Sequence, residues 1–156
     1  MQYKIVTLQE KTVAGLSART NNLSPQMGEM IGGLWKDFYS EDCYPAIKNK
    51  VGGSSFGIYT DYADDEKGDY TVLAACEVSS ADDLPKGVVV RKIPSGKYAE
   101  FSITGEMDMQ AQFAEINKLW REIWQMKLDR SYVCDFEEYR SADPQNADVR
   151  VYIGLN

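Results

Sequence analysis

The sequence predicts an α+β fold in which two pseudo-symmetric strand, helix, strand, strand units share an antiparallel sheet, with two main helices and a ligand groove at the seam. Three observations point there. Apolar residues recur at helical spacing in one stretch around Trp35 and in another around Trp120. The remaining apolar runs are short, rich in Val, Ile, Tyr and Phe, and bounded by Gly, Pro and Asp, which is the pattern of strands joined by turns. A shift of 85 residues lays Val13-Ala14-Gly15-Leu16-Ser17 over Tyr98-Ala99-Glu100-Phe101-Ser102, and Ile31, Leu34 and Trp35 over Ile116, Leu119 and Trp120. Near the ends of the halves a shift of 77 lays Val72-Leu73 over Val149-Arg150, so the second half carries a shortened loop. Residues 1-156 therefore read as one domain with an internal repeat, 1-80 and 88-156.

Taken in order, Tyr3 to Leu8 and Thr12 to Thr20 read as one long or bulged strand with Gly15 as the candidate bulge. Ser24-Pro25 reads as an N-cap followed by proline in the first turn of a helix. That helix runs from about Pro25 to Tyr39, with Met27, Met30, Ile31, Leu34, Trp35 and Phe38 on its buried face. Gly28, Gly32 and Gly33 weaken it by about 1 kcal/mol each relative to alanine and suit a helix lying close against a sheet. Cys43 to Gly53 is an irregular connection, and Phe56 to Tyr62 and Tyr70 to Val78 are strands. The acidic stretch between them, Ala63 to Asp69, lacks EF-hand spacing and flanking helices, so it reads as a solvated hairpin turn rather than a calcium loop. Ser79 to Gly87 links the halves. Val88 to Ile93 and Lys97 to Ile103 are strands about a Pro94-Ser95-Gly96 turn. Asp108 caps a second helix with Met109, Phe113, Ile116, Trp120 and Ile123 in its stripe and Leu119 and Trp124 beside it. Tyr132 to Tyr139 and Val149 to Leu155, separated by a turn from Ser141 to Ala147, close the sheet.

Composition narrows the chemistry. The chain of 156 residues has no histidine, which removes Ser-His-Asp, Cys-His and His-based metal sites. Its three cysteines are scattered, without disulfide or zinc spacing, and read as small buried hydrophobes. No metal and no cofactor are expected. A net charge of −7 without a Lys/Arg stripe argues against nucleic acid as a direct partner. No apolar run approaches a membrane span and no signal-peptide pattern opens the chain, so a cytoplasmic location is expected. Ten Tyr, 5 Phe and 3 Trp in an acidic chain lean toward cationic, lipophilic ligands.

Strand alternation places Asp135, Glu137 and Tyr139 on one face and Cys134, Phe136 and Glu138 on the other. Asp135 and Glu138 read as solvent-facing, with Asp135 close enough to raise the proton affinity of Glu137 by like-charge repulsion. Trp120, Trp124 and Trp35 have the spacing of core residues; Trp120 and Trp35 are also candidate ligand contacts. Tyr59 and Tyr98 lie on candidate groove strands, where a ring with a polar tip suits a binding site.

Gly57-Ile58-Tyr59, Lys97-Tyr98-Ala99-Glu100-Phe101 after Ile93-Pro94-Ser95-Gly96, the following Gly105 with its tryptophan-bearing helix, and Phe136-Glu137-Glu138-Tyr139 together resemble the GyrI-like small-molecule-binding family. Members of that family serve as effector-binding domains behind AraC-type and MerR-type DNA-binding domains, or stand alone. The resemblance spans about Tyr3 to Leu155. It implies a groove between two pseudo-symmetric units, a lipophilic cation as ligand, and Glu137 as the central contact with Tyr139 beside it. The ligand-binding set is then Glu137, Tyr139, Trp120, Tyr59, Tyr98 and Trp35. Because the chain opens on the domain itself, a free-standing member is expected, with a separate transcription regulator or a second copy of the chain as candidate partners. Two alternatives remain open. One is a small-molecule hydrolase with Glu137 as general base and Tyr139 as hydrogen-bond donor; the other is a protein-interaction module like the gyrase inhibitors of the family. The first-half counterpart of Tyr132 to Tyr139 is roughly Gly53 to Thr60, which has Tyr59 but no acid, so an asymmetric groove is expected.

Overall fold

The computed structural model describes residues 2–141 and 143–156. In chain order the elements are β1 (Lys4–Leu8), β2 (Lys11–Thr20), α1 (Met27–Phe38), β3 (Lys50–Thr60), β4 (Tyr70–Val78), β5 (Val89–Ile93), β6 (Gly96–Gly105), α2 (Met109–Gln125), β7 (Arg130–Tyr139) and β8 (Ala147–Leu155), with single 3-10 turns at Tyr44–Ala46 and Pro144–Asn146. The eight strands form one antiparallel sheet in the order β1-β6-β8-β7-β3-β4-β2-β5. This order reads the same from either end under exchange of the halves: β7 and β3 are central, β8 and β4 flank them, and β6 and β2 lie beyond. β2 and β6 begin 85 residues apart (11 and 96), and β4 and β8 begin 77 apart (70 and 147).

The first strand is two strands. The chain breaks at Gln9-Glu10, and β1 pairs with β6 whereas β2 pairs with β4 and β5. The short leading strand of each half thus crosses to edge the other half. Gly15 is not a bulge, since register runs unbroken from Val13↔Glu77 to Thr20↔Tyr70. A Cβ at Gly15 would fall 1.9 Å from the Ala74 carbonyl oxygen, so glycine is required there by close backbone approach. The register shifts lie instead between Lys50 and Ser55 in β3 and between Arg130 and Asp135 in β7.

Alternation along the strands fills both faces. On the face away from the helices, Phe56, Ile58, Tyr98, Phe136 and Tyr152 form a core that the curled sheet closes on itself, with Val6, Leu8 and Val89 packed at its edge. On the other face α2 lays Ile116, Leu119 and Ile123 on Phe101, Val149 and Val151. The Asp108 side chain caps α2 by accepting from the Ala111 N–H at 2.7 Å. Ser24 does not cap α1: its hydroxyl accepts from Gln26 N at 3.3 Å in a local turn, and the helix begins at Met27. Cys43, Cys76 and Cys134 are free and buried.

α1 is attached thinly. Phe38 is its one fully buried residue, packed near Ala14, Ala74 and Ile47, while Met27, Ile31 and Trp35 are half-buried. Its glycines do not mark close packing against the sheet, because a Cβ added at Gly28, Gly32 or Gly33 meets nothing within 4 Å. Gly33→Ala should therefore stabilise the protein by about 0.5–1 kcal/mol through helix propensity alone, read as a higher denaturant midpoint at unchanged slope.

Candidate functional site

The two helices cover the flanks of the sheet and leave its centre uncovered. Above the β3 and β7 pair lies a cavity of about 1100 Å³. α1 forms one wall with Met27, Ile31 and Trp35, and α2 the other with Phe113, Trp120 and Trp124. On the cavity side of α1, Gly28 and Gly32 leave room that longer side chains would fill. The stripe expected on α2 splits in two. Gln112, Ile116, Leu119 and Ile123 are the buried positions, whereas Met109, Phe113 and Trp124 are exposed at the cavity, Phe113 by 53%. The apolar surface of α2 is wider than packing on a sheet requires, and the surplus lines the cavity.

Glu137 forms the floor. Facing it across the central strand pair is Gly57, flanked by the pairs Ser55↔Tyr139 and Tyr59↔Asp135. The carboxylate is 4% exposed. It accepts from Tyr139 Oη at Oε1 (2.6 Å) and from Trp120 Nε1 (2.7 Å) and Tyr59 Oη (3.4 Å) at Oε2. All three donors are neutral. Among the described residues no Lys or Arg forms an ion pair with it. Burial raises the Glu137 pKa above the ordinary carboxylate range, and the bonds from Tyr139, Trp120 and Tyr59 offset only part of that rise. Asp135 is not among the causes of the shift. Burial and the adjacent Glu137 carboxylate hold the Tyr59 and Tyr139 phenols well above their usual range, so both stay protonated donors.

Rings enclose the acid. Trp35 meets Tyr139 edge-on at 5.6 Å and stacks on Tyr39 at 5.9 Å, and Tyr59 meets Trp120 edge-on at 5.3 Å. Tyr39 is bonded to Ser55, which joins α1 to β3. A Cβ at Gly57 would sit 3.0 Å from Glu137 Oε1 and 3.3 Å from Trp35 Cζ2. The missing side chain at Gly57 is thus the space into which the acid and the indole fit.

Five of the six expected contacts, Glu137, Tyr139, Trp120, Tyr59 and Trp35, line this one cavity. Tyr98 does not. Its strand parity turns it to the opposite face, where its hydroxyl donates to the Pro94 carbonyl at 2.7 Å and its ring packs on Phe136. Asp135 is not solvent-facing either: it is fully buried and accepts from Arg130 Nη2 (2.8 Å), Tyr62 Oη (2.6 Å) and Gly154 N (2.8 Å). Glu138 is half-buried, bonded by Ser54 and Arg140. The acidic loop after β3 is not wholly solvated, because Glu66 turns into the cavity. Trp124, expected mainly as core, is 42% exposed at the cavity wall.

The family model for integron-associated effector binding proteins, Cass2, matches residues 4–155. The chain belongs to the Cass2 family. A crystal structure of an integron cassette protein from the mobile metagenome of Vibrio cholerae is similar to this Cass2 member at 34% identity and a TM-score of 0.77, covering 99% of this chain and 95% of that one. SAV2435 bound to tetraphenylphosphonium has the same fold at 20% identity and a TM-score of 0.77, with 100% and 94% covered. The EcmrR C-terminal domain shares it more distantly, at 13% identity and a TM-score of 0.54 over 99% and 97% of the chains. No curated protein matches the sequence. The GyrI-like effector-binding fold expected from the sequence is the fold found. Among the described residues no helix is long and apolar enough to cross a membrane.

A buried carboxyl with a raised pKa favours the folded state in its neutral form. Its contribution to stability is present below the unfolded pKa of about 4.3 and is lost as pH rises through the folded value. Glu137→Gln should accordingly stabilise the ligand-free Cass2 member above that value by about 1 kcal/mol, and the gain over wild type should vanish in acid. Thermal melts across pH check both parts.

Proposed function

We propose that this protein binds small lipophilic cations non-covalently, with Glu137 as the counter-charge and the rings of Trp35, Trp120, Tyr59 and Tyr139 as the walls. One observation carries the reading: an ionisable carboxylate is shut in an aromatic cavity with neutral donors alone. A buried anion without a cationic partner is costly, and a cationic ligand supplies the partner. A delocalised or quaternary cation suits the site, because it is desolvated cheaply and its charge is attracted both to the acid and to the ring faces. Lys36 and Arg121 also line the cavity, but they are exposed to solvent, where salt screens them. The Arg130 charge is matched by Asp135. Tetraphenylphosphonium in the similar fold of SAV2435 is the same class of ligand. The biological role that follows is sequestration of such compounds, or sensing them on behalf of a separate regulator.

Titration of the protein with a rhodamine-type cation, followed by fluorescence, tests this. Removing one partner of a buried charge pair costs about 2–5 kcal/mol, so Glu137→Gln should weaken binding by roughly 30-fold or more. Unchanged affinity would sink the assignment, and steady product formation from an electrophilic ligand would move it to hydrolysis. Affinity should also climb with pH as Glu137 ionises through its raised pKa, and the climb should be absent in Glu137→Gln. A flat profile in wild type would contradict the counter-charge role.

A further inference from the structure

Buried polar atoms without partners are uncommon in folded proteins, and each one calls for an explanation. Among the described residues three side-chain atoms are of this kind: Thr20 Oγ1, Glu66 Oε2 and Arg130 Nε. Two of the three, Glu66 Oε2 and Arg130 Nε, belong to residues that line the same cavity as Glu137.

They belong to one cluster. The Arg130 side chain is 5% exposed and spends Nη2 on Asp135 at 2.8 Å. Its guanidinium lies over the Tyr132 ring, 4.4 Å from the centroid, and burial together with the neighbouring Glu66 carboxylate holds the Tyr132 phenol above its usual range. Tyr132 thus packs under Arg130 and neighbours Glu66, and it does so from a left-handed backbone, φ 54°, inside the register shift of β7. A tyrosine held there is strained, and such strain tends to collect at functional sites. The loop that carries Glu66 is fixed from behind, since Asn22 Nδ2 donates to the Glu66 carbonyl at 3.0 Å and Tyr70 Oη donates to Asn22 Oδ1 at 2.6 Å. The cluster is held in place while one donor and one acceptor are left unused.

We propose that this end of the cavity is a second, polar subsite that takes a neutral group able to accept from Arg130 Nε and donate to Glu66 Oε2, a carboxamide being the matching chemistry. The ligand class then narrows from any lipophilic cation to an aromatic cation carrying a carboxamide or similar arm. Apolar rings fill the space between the helices, the positive centre faces Glu137, and the arm reaches the cluster. The inference rests on the cation-binding reading above.

A matched pair of probes separates the two ideas: tetraphenylphosphonium, and the same cation with a carbamoyl group on one ring, each titrated by calorimetry. Wild type should prefer the carbamoyl compound about tenfold, the scale of hydrogen bonds to charged groups. In Glu66→Ala, a change in a surface loop that leaves the sheet intact, the ratio of the two affinities should fall to near one. Arg130→Lys keeps the charge opposite Asp135 but removes the Nε donor, and it should lower the ratio as well. Equal binding of the two probes by wild type, or a preference that survives in both variants, overturns the subsite and leaves cation binding standing. Binding of neither probe overturns the cation reading and this inference with it.

Discussion

A carboxylate sits on a central strand of the sheet, nearly buried at the floor of a cavity and bonded only by neutral groups. The remaining architecture follows from how that carboxylate is kept. Two phenols and an indole soften the burial of Glu137 without cancelling its charge, as the raised pKa shows. A lysine or arginine in their place would satisfy the acid and leave nothing for a ligand to do. The helices stand apart for the same reason. If α1 and α2 closed on the sheet centre, the acid would lie in a dry core, and a few kcal/mol of unmet desolvation would be the result. The open cavity keeps the acid within reach of a ligand.

The two walls are built to different standards. α2 is pinned by buried residues on successive turns, Gln112, Ile116, Leu119 and Ile123. α1 has Phe38 alone fully buried and carries three glycines within its 12 residues. Elements with little buried apolar contact open at low free-energy cost, so α1 is the wall expected to shift with the ligand. Trp35 is then an anchor at the inner end of a loosely held helix, with its edge against Tyr139 and its face on Tyr39. A site assembled this way fixes the charge tightly and the shape loosely, which suits recognition of a chemical class.

Much of this was legible in the sequence, because strand parity and helical spacing are local. The parity of Tyr132 to Tyr139 places Glu137 and Tyr139 on a common face, and the 85-residue shift pairs Trp35 with Trp120. What stayed illegible depended on the sheet's curl and on partners distant in sequence. The same parity argument that places Glu137 puts Asp135 on its face, but only the fold reveals that Arg130, Tyr62 and the Gly154 amide converge there. Tyr98 was misplaced because its face depends on how β6 enters the sheet, with β1 on one side and β8 on the other. On α2 the signal was present in the sequence: seven large apolar residues from Met109 to Trp124, alanines aside, are more than one packed face needs.

The repeat also explains why the site holds a single acid. β3 and β7 begin 80 residues apart, at Lys50 and Arg130, and their register shifts are displaced by the same interval. At that interval Tyr59 corresponds to Tyr139, and Gly57 corresponds to Glu137. Gly57 and Glu137 are also direct partners across the central pair, so the pseudo-twofold axis passes between them. The phenols obey the symmetry, one bonding each oxygen of the carboxylate. The acid cannot obey it. A side chain at Gly57 would begin 3.0 Å from Glu137 Oε1, and a second carboxylate on the axis would add like-charge repulsion in a site already short of water. One half therefore supplies the charge and the other supplies the vacancy that accommodates it, which is how a nearly symmetric fold comes to present one negative centre to its ligand.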